Sequence, residues 1–174
     1  MNSGADPAQP AGQAVARTSA RVIVAGPGDV ILLMRFGQDA GGAGGAFWLT
    51  PGGGVRAGES LAVAAIRELA EEAGIAAVPD ALGPVVAESS GRWSDGRTVY
   101  DAHDSFFFLR VAGLAVDTGG QEDLERSLVT GHRWWRPADL AASGETVYPP
   151  DLPALAGRLL AGDMPRAPVL LPWR

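Results

Sequence analysis

The sequence predicts a single α/β domain, and three observations carry that expectation. Short runs rich in β-branched and aromatic residues recur between Gly/Pro turns, the signature of strands. One segment, Ser60 to Gly74, has helical spacing and a helix-stop glycine. The chain of 174 residues is 47% apolar, enough for one core, and shows neither an internal repeat nor a second domain.

Taken in order, Arg21–Ala25 and Val30–Arg35 read as strands joined by the turn Gly26-Pro27-Gly28-Asp29. Gly37–Gly45 has no ordered glycine spacing and no following helix, so it reads as a flexible connection rather than a phosphate cradle. Phe47–Leu49 is a short strand that feeds the turn Pro51-Gly52-Gly53-Gly54, and the helix follows. Val85–Ser90 and Thr98–Val111 form a hairpin joined around Gly91–Gly96. Phe106-Phe107-Phe108-Leu109 suits a strand buried on both faces. His132–Trp135 is a further strand, Pro137 opens a short helix to about Ala142, and Asp151–Ala161 forms a last helix with Pro153 in its first turn. Residues 1–18, rich in Ala, Gly, Pro and Gln, read as a disordered leader, 19–162 as the domain, and 163–174 as an extended tail.

Composition narrows the chemistry. A formal charge of −6 and the lack of a basic run argue against a nucleic acid duplex as partner. Cysteine is absent, which excludes disulfides, a thiolate nucleophile and cysteine-bound zinc. All 14 basic side chains are arginine, so neither a phosphate-loop lysine nor a Schiff base is available. Two histidines, His103 and His132, are too few for a three-histidine metal site. The N-terminus lacks the apolar core of a signal peptide, and no run is long enough to span a membrane; a cytoplasmic protein is the expectation.

Carboxylate chemistry remains, and the helix concentrates it. Glu71 and Glu72 fall within about 60° of Glu68 at about 100° per residue, so all three share one face. Like charges at Glu68 and Glu72 destabilise a helix by roughly 0.2–0.5 kcal/mol, and the dipole disfavours anions near its C-terminus. A divalent cation reverses both penalties. Oxygen ligands without sulfur or imidazole favour a hard ion, Mg²⁺ or Mn²⁺. Ala62, Ile66, Leu69, Ala70 and Ala73 form the opposite, core-facing stripe, while Ala64 and Ala65 on the acidic side are expected to leave room for a ligand. Ser60 suits the N-cap, Gly74 the left-handed stop, and Ile75 the contact behind it. Taken alone, an acidic cluster of this size is a common solvated helix face.

The whole pattern is far less common. Gly53, then Glu59, then Arg67-Glu68-Leu69-Ala70-Glu71-Glu72-Ala73-Gly74-Ile75 resembles the signature of the Nudix hydrolases, with no departure at a fixed position. Phe47–Gly52, and Trp134-Trp135 with Pro137–Leu140, extend the likeness over about residues 18–162. The resemblance implies an α/β/α sandwich with a mixed β-sheet. It also implies Mg²⁺ (or Mn²⁺) and hydrolysis of a nucleoside diphosphate linked to another group. By position, Glu68 and Glu72 resemble the principal metal ligands and Glu71 a third, and Gly53 would offer a backbone carbonyl. Arg67 would orient the glutamates, and Glu59 would hold Arg67. The general base stays open among Glu68, Glu125 and hydroxide at the metal.

Outside the signature, Glu122, Asp123 and Glu125 resemble a loop that supplies an extra ligand or a base, with Glu125 the leading candidate; a solvated loop is the plainer reading. Glu88 is a weaker ligand candidate. Arg92 and Trp93, placed in the hairpin loop, are candidates to bind phosphate and stack on a base. His103 and His132 are either proton donors or ordinary strand residues. At least one of Trp134 and Trp135 belongs in the core. The expected partner is a small nucleoside diphosphate-type substrate, with homodimerisation open. Two other classes share the signature's setting. A noncatalytic nucleotide sensor would not need the intact acids, and a prenyl diphosphate isomerase would use a cysteine this chain lacks.

Overall fold

Two long strands make the spine of the molecule. The computed structural model describes residues 14–37, 45–94, 97–120 and 128–174. β1 (Val15–Gly26) lies parallel to β6 (Val99–Arg110) along the whole stretch from Val15↔Tyr100 to Ala25↔Arg110. A parallel pair of this length needs cover on both faces, and the side chains alternate accordingly. Val22, Val24, Phe107 and Leu109 enter one apolar cluster, and Ile23 and Phe106 enter the other. The expected doubly buried run Phe106–Leu109 is therefore observed.

Around this spine stand β2 (Val30–Phe36), β3 (Phe47–Leu49), β4 (Gly52–Gly54), β5 (Ala87–Ser94), β7 (Val129–Trp135), β8 (Thr146–Val147) and β9 (Val169–Leu171). The mixed sheet has the order β8-β3-β2-β1-β6-β5-β9, with β7 also on β2 and β4 also on β1. Left-handed Gly28 and Asp29, at φ 83° and 56°, turn β1 into β2. That pairing is registered at Ala25↔Ile31 and Gly26↔Val30, and earlier along β1 the β4 strand takes the same edge at Ser19–Arg21. Helix α1 (Leu61–Ala73) covers one face. Helices α2 (Pro137–Ala142) and α3 (Leu152–Leu160) cover the other through Leu140, Leu152, Leu155, Ala156 and Leu159. The result is the α/β/α layering expected. No helix of the described residues is long and apolar enough to cross a membrane.

Several boundaries differ from expectation. β1 starts at Val15, so residues 15–18 leave the leader and pair with β6. The hairpin strands run further, and Arg92 and Trp93 sit on β5 opposite Asp101 and Tyr100 rather than in a loop. Cross-strand pairing overrides the turn residues there. The tail is extended but not loose: β9 pairs in parallel with β5, and Trp173 packs against Gly91, where a Cβ would collide with its ring. β8, two residues beside β3, is too short to register in the sequence.

Helix α1 also sits on a different face from the one its hydrophobicity suggests. Leu69 and Ala73 are buried as expected, but Ala62 and Ile66 are half-buried and Ala70 is exposed. Ala64 and Ala65 are fully buried in the core cluster and leave no ligand space. Their small side chains let the helix backbone approach the sheet closely, which turns Glu68 and Glu72 inward with them. Ala65→Leu should therefore destabilise the fold by about 1–3 kcal/mol, because added methylenes have no room. Urea unfolding measures this, and an unchanged midpoint would contradict the packing described.

Candidate metal and phosphate site

The backbone of β4 is the floor of the site. It pairs with β1 at Ser19↔Gly54, Ala20↔Gly53 and Arg21↔Gly52. Flanking hydrogen bonds, Val22 N–H to Pro51 O at 2.9 Å and Val55 N–H to Thr18 O at 3.0 Å, set the phase of this antiparallel ladder. Hydrogen-bonded pairs alternate, so Gly53 faces β1 and the polar groups of Gly52 and Gly54 point away from it. Side chains use those outward groups. Gly52 N–H donates to Glu72 Oε2 at 2.7 Å, Gly52 O accepts from Arg21 Nη1 at 3.1 Å, and Gly54 O accepts from Arg67 Nη2 at 3.0 Å. The Gly53 carbonyl, expected to face an ion, turns towards β1 in this register, while that of Gly52 turns outward. Gly53 matters for a different reason: a Cβ there would stand 2.7 Å from the Glu68 carboxyl.

Helix α1 carries the carboxylates over this floor. Ser60 Oγ accepts from Val63 N–H at 3.3 Å and starts the helix. Gly74, at φ 65°, ends it with its N–H on Ala70 O. Glu68 and Glu72 are 5% and 3% exposed, while Glu71 is half-buried. Buried carboxylates require hydrogen bonds and counter-charge, and Arg67 supplies much of both. Its Nε and Nη2 grip Glu59 at 2.8 and 2.9 Å, and its Nη1 meets Glu68 at 2.6 Å and Glu71 at 3.1 Å. With Gly54 O, these contacts use the guanidinium fork on both of its edges.

Glu59 is in turn held by the Arg56 N–H at 2.8 Å. The Arg67 hydrogen bonds, and then this backbone donor, lower its pKa from 4.5 to about 2. Glu59 first and Glu68 next raise the Arg67 pKa, against the opposing pull of burial. Arg67 is a permanent cation here, and Glu59 a permanent anion at neutral pH.

A second ion pair anchors the floor from the other side of the sheet. Arg21 Nε donates to Asp104 Oδ2 at 2.9 Å, both side chains being largely buried. Arg21 Nη1 also donates to Thr50 O at 3.2 Å as well as to Gly52 O. Asp104, Arg21, the Gly52 peptide and Glu72 form one continuous chain of hydrogen bonds. Sequence reasoning passed over this pair. The available signal was an aspartate two residues before the apolar run Phe106–Leu109, in a strand that has no room for an unpaired charge.

The remaining candidates fall elsewhere. Arg92 pairs with Asp101 at 2.6 Å, both exposed, which raises the Arg92 pKa. Trp93 stacks on Tyr100 at 4.7 Å and 22°. His103 Nδ1 lies 2.7 Å from Ser90 Oγ, and its Nε2 lies 3.7 Å from Glu88, so those two candidates meet one another. His132 is exposed on β7. Trp135 is buried in the core as expected, and Trp134 Nε1 donates to Leu114 O at 3.0 Å. Glu122, Asp123 and Glu125 lie outside the described residues.

Among the described residues no group of three or more His, Asp or Glu side chains stands ready-made around an ion. Arg67 occupies the position between Glu68 and Glu71, and Gly52 N–H engages Glu72. The donor set nevertheless fits a hard divalent cation: three carboxylates on one helix turn, an outward backbone carbonyl, and no soft ligand. The Gly53 position, lacking a Cβ, keeps the approach to Glu68 open.

A family model described as the NUDIX domain matches residues 15–155, and the chain belongs to the Nudix family. No curated protein sequence matches. The fold is similar to the E. coli ORF135 protein, with a TM-score of 0.58 at 22% identity over 91% of this chain and 100% of that one. It is similar to the MutT protein of Methanosarcina mazei Go1, with a TM-score of 0.61 at 18% identity over 87% and 97% of the two chains. The C. elegans Ap4A hydrolase gives 0.56 at 18% identity over 84% and 98%. At these identities the likeness establishes the fold.

The electrostatics of the Arg67 cluster give a pH test. A lowered carboxylate pKa means that Glu59 contributes its stabilisation fully above the ordinary carboxylate range and loses it as pH falls through about 2. Glu59→Gln should lower the melting temperature at pH 7, and the gap to the wild-type protein should close as the pH is taken from about 4.5 towards about 2. A gap that stays constant across that window would contradict the ion pair.

Proposed function

We propose that the chain is a divalent-cation-dependent hydrolase that cleaves the diphosphate linkage of a nucleoside diphosphate joined to another group. The observation that carries this reading is the burial of Glu68 and Glu72 against the β4 backbone, at the cost of charge repulsion, with Arg67 holding the cluster together. Family membership supports it, since Nudix proteins are pyrophosphohydrolases. The structural neighbours include proteins described as MutT and as an Ap4A hydrolase.

Glu68, Glu71, Glu72 and the Gly52 carbonyl would hold Mg²⁺ (or Mn²⁺). Bound there, the ion would neutralise the diphosphate and polarise its phosphoryl oxygens. Arg67 holds Glu68 and Glu71, the Gly52 N–H holds Glu72, and Glu59 keeps Arg67 from swinging away. Water attacks phosphorus, a new P–O bond forms, the anhydride P–O bond breaks, and the leaving phosphoryl group departs as an anion. Glu68 would accept the proton from that water; Glu125 retains the same candidacy from the sequence. Arg67 would return positive charge to Glu68 and Glu71 when the ion leaves.

The test is hydrolysis across nucleoside triphosphates, sugar nucleotides, dinucleotides and dinucleoside polyphosphates, with and without Mg²⁺. Glu72→Gln should reduce turnover by orders of magnitude while the circular dichroism and melting profile remain native. Retained activity in that variant would overturn the metal assignment. Nucleotide binding with no cleavage of any class would replace the hydrolase by a sensor.

A further inference from the structure

Three consecutive glycines make the floor of the site, and a glycine run does not hold its own shape. Gly52, Gly53 and Gly54 have no side chains to pack, and glycine loses more conformational freedom on ordering than any other residue. The carboxylate cluster nevertheless depends on one peptide unit there. The Pro51–Gly52 peptide points its N–H at Glu72 Oε2, 2.7 Å away, while its carbonyl accepts from Val22 N–H at 2.9 Å. Rotation of that peptide would break both bonds at once.

Arg21 brackets this unit. Its Nη1 donates to Thr50 O at 3.2 Å and to Gly52 O at 3.1 Å, the carbonyls immediately before and after the Pro51–Gly52 peptide. Its Nε donates to Asp104 Oδ2 at 2.9 Å, and Asp104 is 5% exposed. Both side chains lie on the sheet face away from α1: Arg21 alternates with Ala20 and Val22, which pack with the helix, and Asp104 shares its side of β6 with Phe106. Gly52, at φ 139°, leaves room for this clamp, because a Cβ there would collide with the Ala20 carbonyl and the Arg21 side chain. A buried ion pair is a weak source of stability, since desolvation offsets its attraction. What an arginine supplies and an apolar side chain cannot is a fork that holds two carbonyls and a carboxylate together.

We propose that Arg21, itself held by Asp104, is a positioning residue that sets the affinity of the carboxylate cluster for its divalent cation. It contributes no atom to the shell of the ion and acts through backbone. With both flanking carbonyls clamped, the Pro51–Gly52 N–H fixes one oxygen of Glu72, and the carboxylate meets the ion already oriented. The inference rests on the cation-dependent reading and adds to it a residue pair outside the helix and its loop. Groups that orient metal ligands typically change metal affinity by about 10–100-fold.

The experiment follows Mn²⁺ binding by electron paramagnetic resonance in the wild-type protein, Arg21→Lys and Asp104→Asn, with exchange of the Gly52 amide read by NMR in the cation-free proteins. The Mg²⁺ dependence of turnover, on the nucleotide class that the wild type cleaves, runs alongside. Lysine keeps the charge beside Asp104, but its single ammonium cannot span both carbonyls and the carboxylate. Arg21→Lys should weaken Mn²⁺ binding by about tenfold, the low end of what orienting partners supply, and the Gly52 amide should exchange faster. The Mg²⁺ concentration for half-maximal rate should rise by the same factor, while kcat at saturating Mg²⁺ changes little. Asp104→Asn, which still accepts from Nε, should shift these quantities the same way by less, and it carries the comparison should the lysine variant melt early. A purely structural pair would lower the melting temperature and leave Mn²⁺ affinity below the transition unchanged. Equal Mn²⁺ affinity in wild type and variants, or a turnover loss that added Mg²⁺ does not restore, would therefore overturn the positioning role while leaving the cation site intact. A wild-type protein that takes up no Mn²⁺ would remove the cation site, and the inference with it.

Discussion

One guanidinium organises this site. Arg67 reaches Glu59, Glu68, Glu71 and the Gly54 carbonyl with donors that point in fixed directions. A lysine has a single ammonium and cannot hold two edges of a loop and two carboxylates at once. Without that cation, Glu68, Glu71 and Glu72 would repel one another on one turn of a helix whose dipole already disfavours them. The loop from Gly54 to Glu59 depends on it as well, since Glu59 is pinned by Arg67 on one side and by the Arg56 backbone on the other.

The cluster is tied to the core through backbone. β4 leans on β1 in a register that turns the Gly52 and Gly54 polar groups outward, and Glu72, Arg21 and Arg67 all use them. Ala64 and Ala65 let α1 settle close enough for this contact. Asp104 and Arg21 brace the same peptide from across the sheet. A substitution in β1 or β6, distant in sequence from the glutamates, therefore bears on how they are presented.

The carboxylate cluster was legible because its spacing is local: helical periodicity alone puts Glu68, Glu71 and Glu72 together, and Gly74 marks the end. The central strands were legible from apolar runs bounded by turns. What could not be read depends on partners distant in the chain. Whether Ala64 and Ala65 line a pocket or a core depends on what packs above them, and sequence hydrophobicity pointed to the opposite stripe. Arg21 and Asp104 are 83 residues apart, and neither announces the other. Arg92 and Trp93 have a turn-like neighbourhood, yet pairing with Asp101 and Tyr100 extends the strand through them. β9 and the cover it gives β5 follow from a Pro-rich tail whose composition suggests only an extended chain.

The central claim is that the inward face of α1 is a divalent-cation site despite being closed by Arg67. Mn²⁺ titration followed by electron paramagnetic resonance tests it directly, comparing the wild-type protein with Glu68→Gln. The account expects the wild-type protein to remove Mn²⁺ from the free pool in a saturable way, and the variant to do so far more weakly. Equal uptake by the two proteins, or none by the wild type in the presence of a nucleotide, would contradict it.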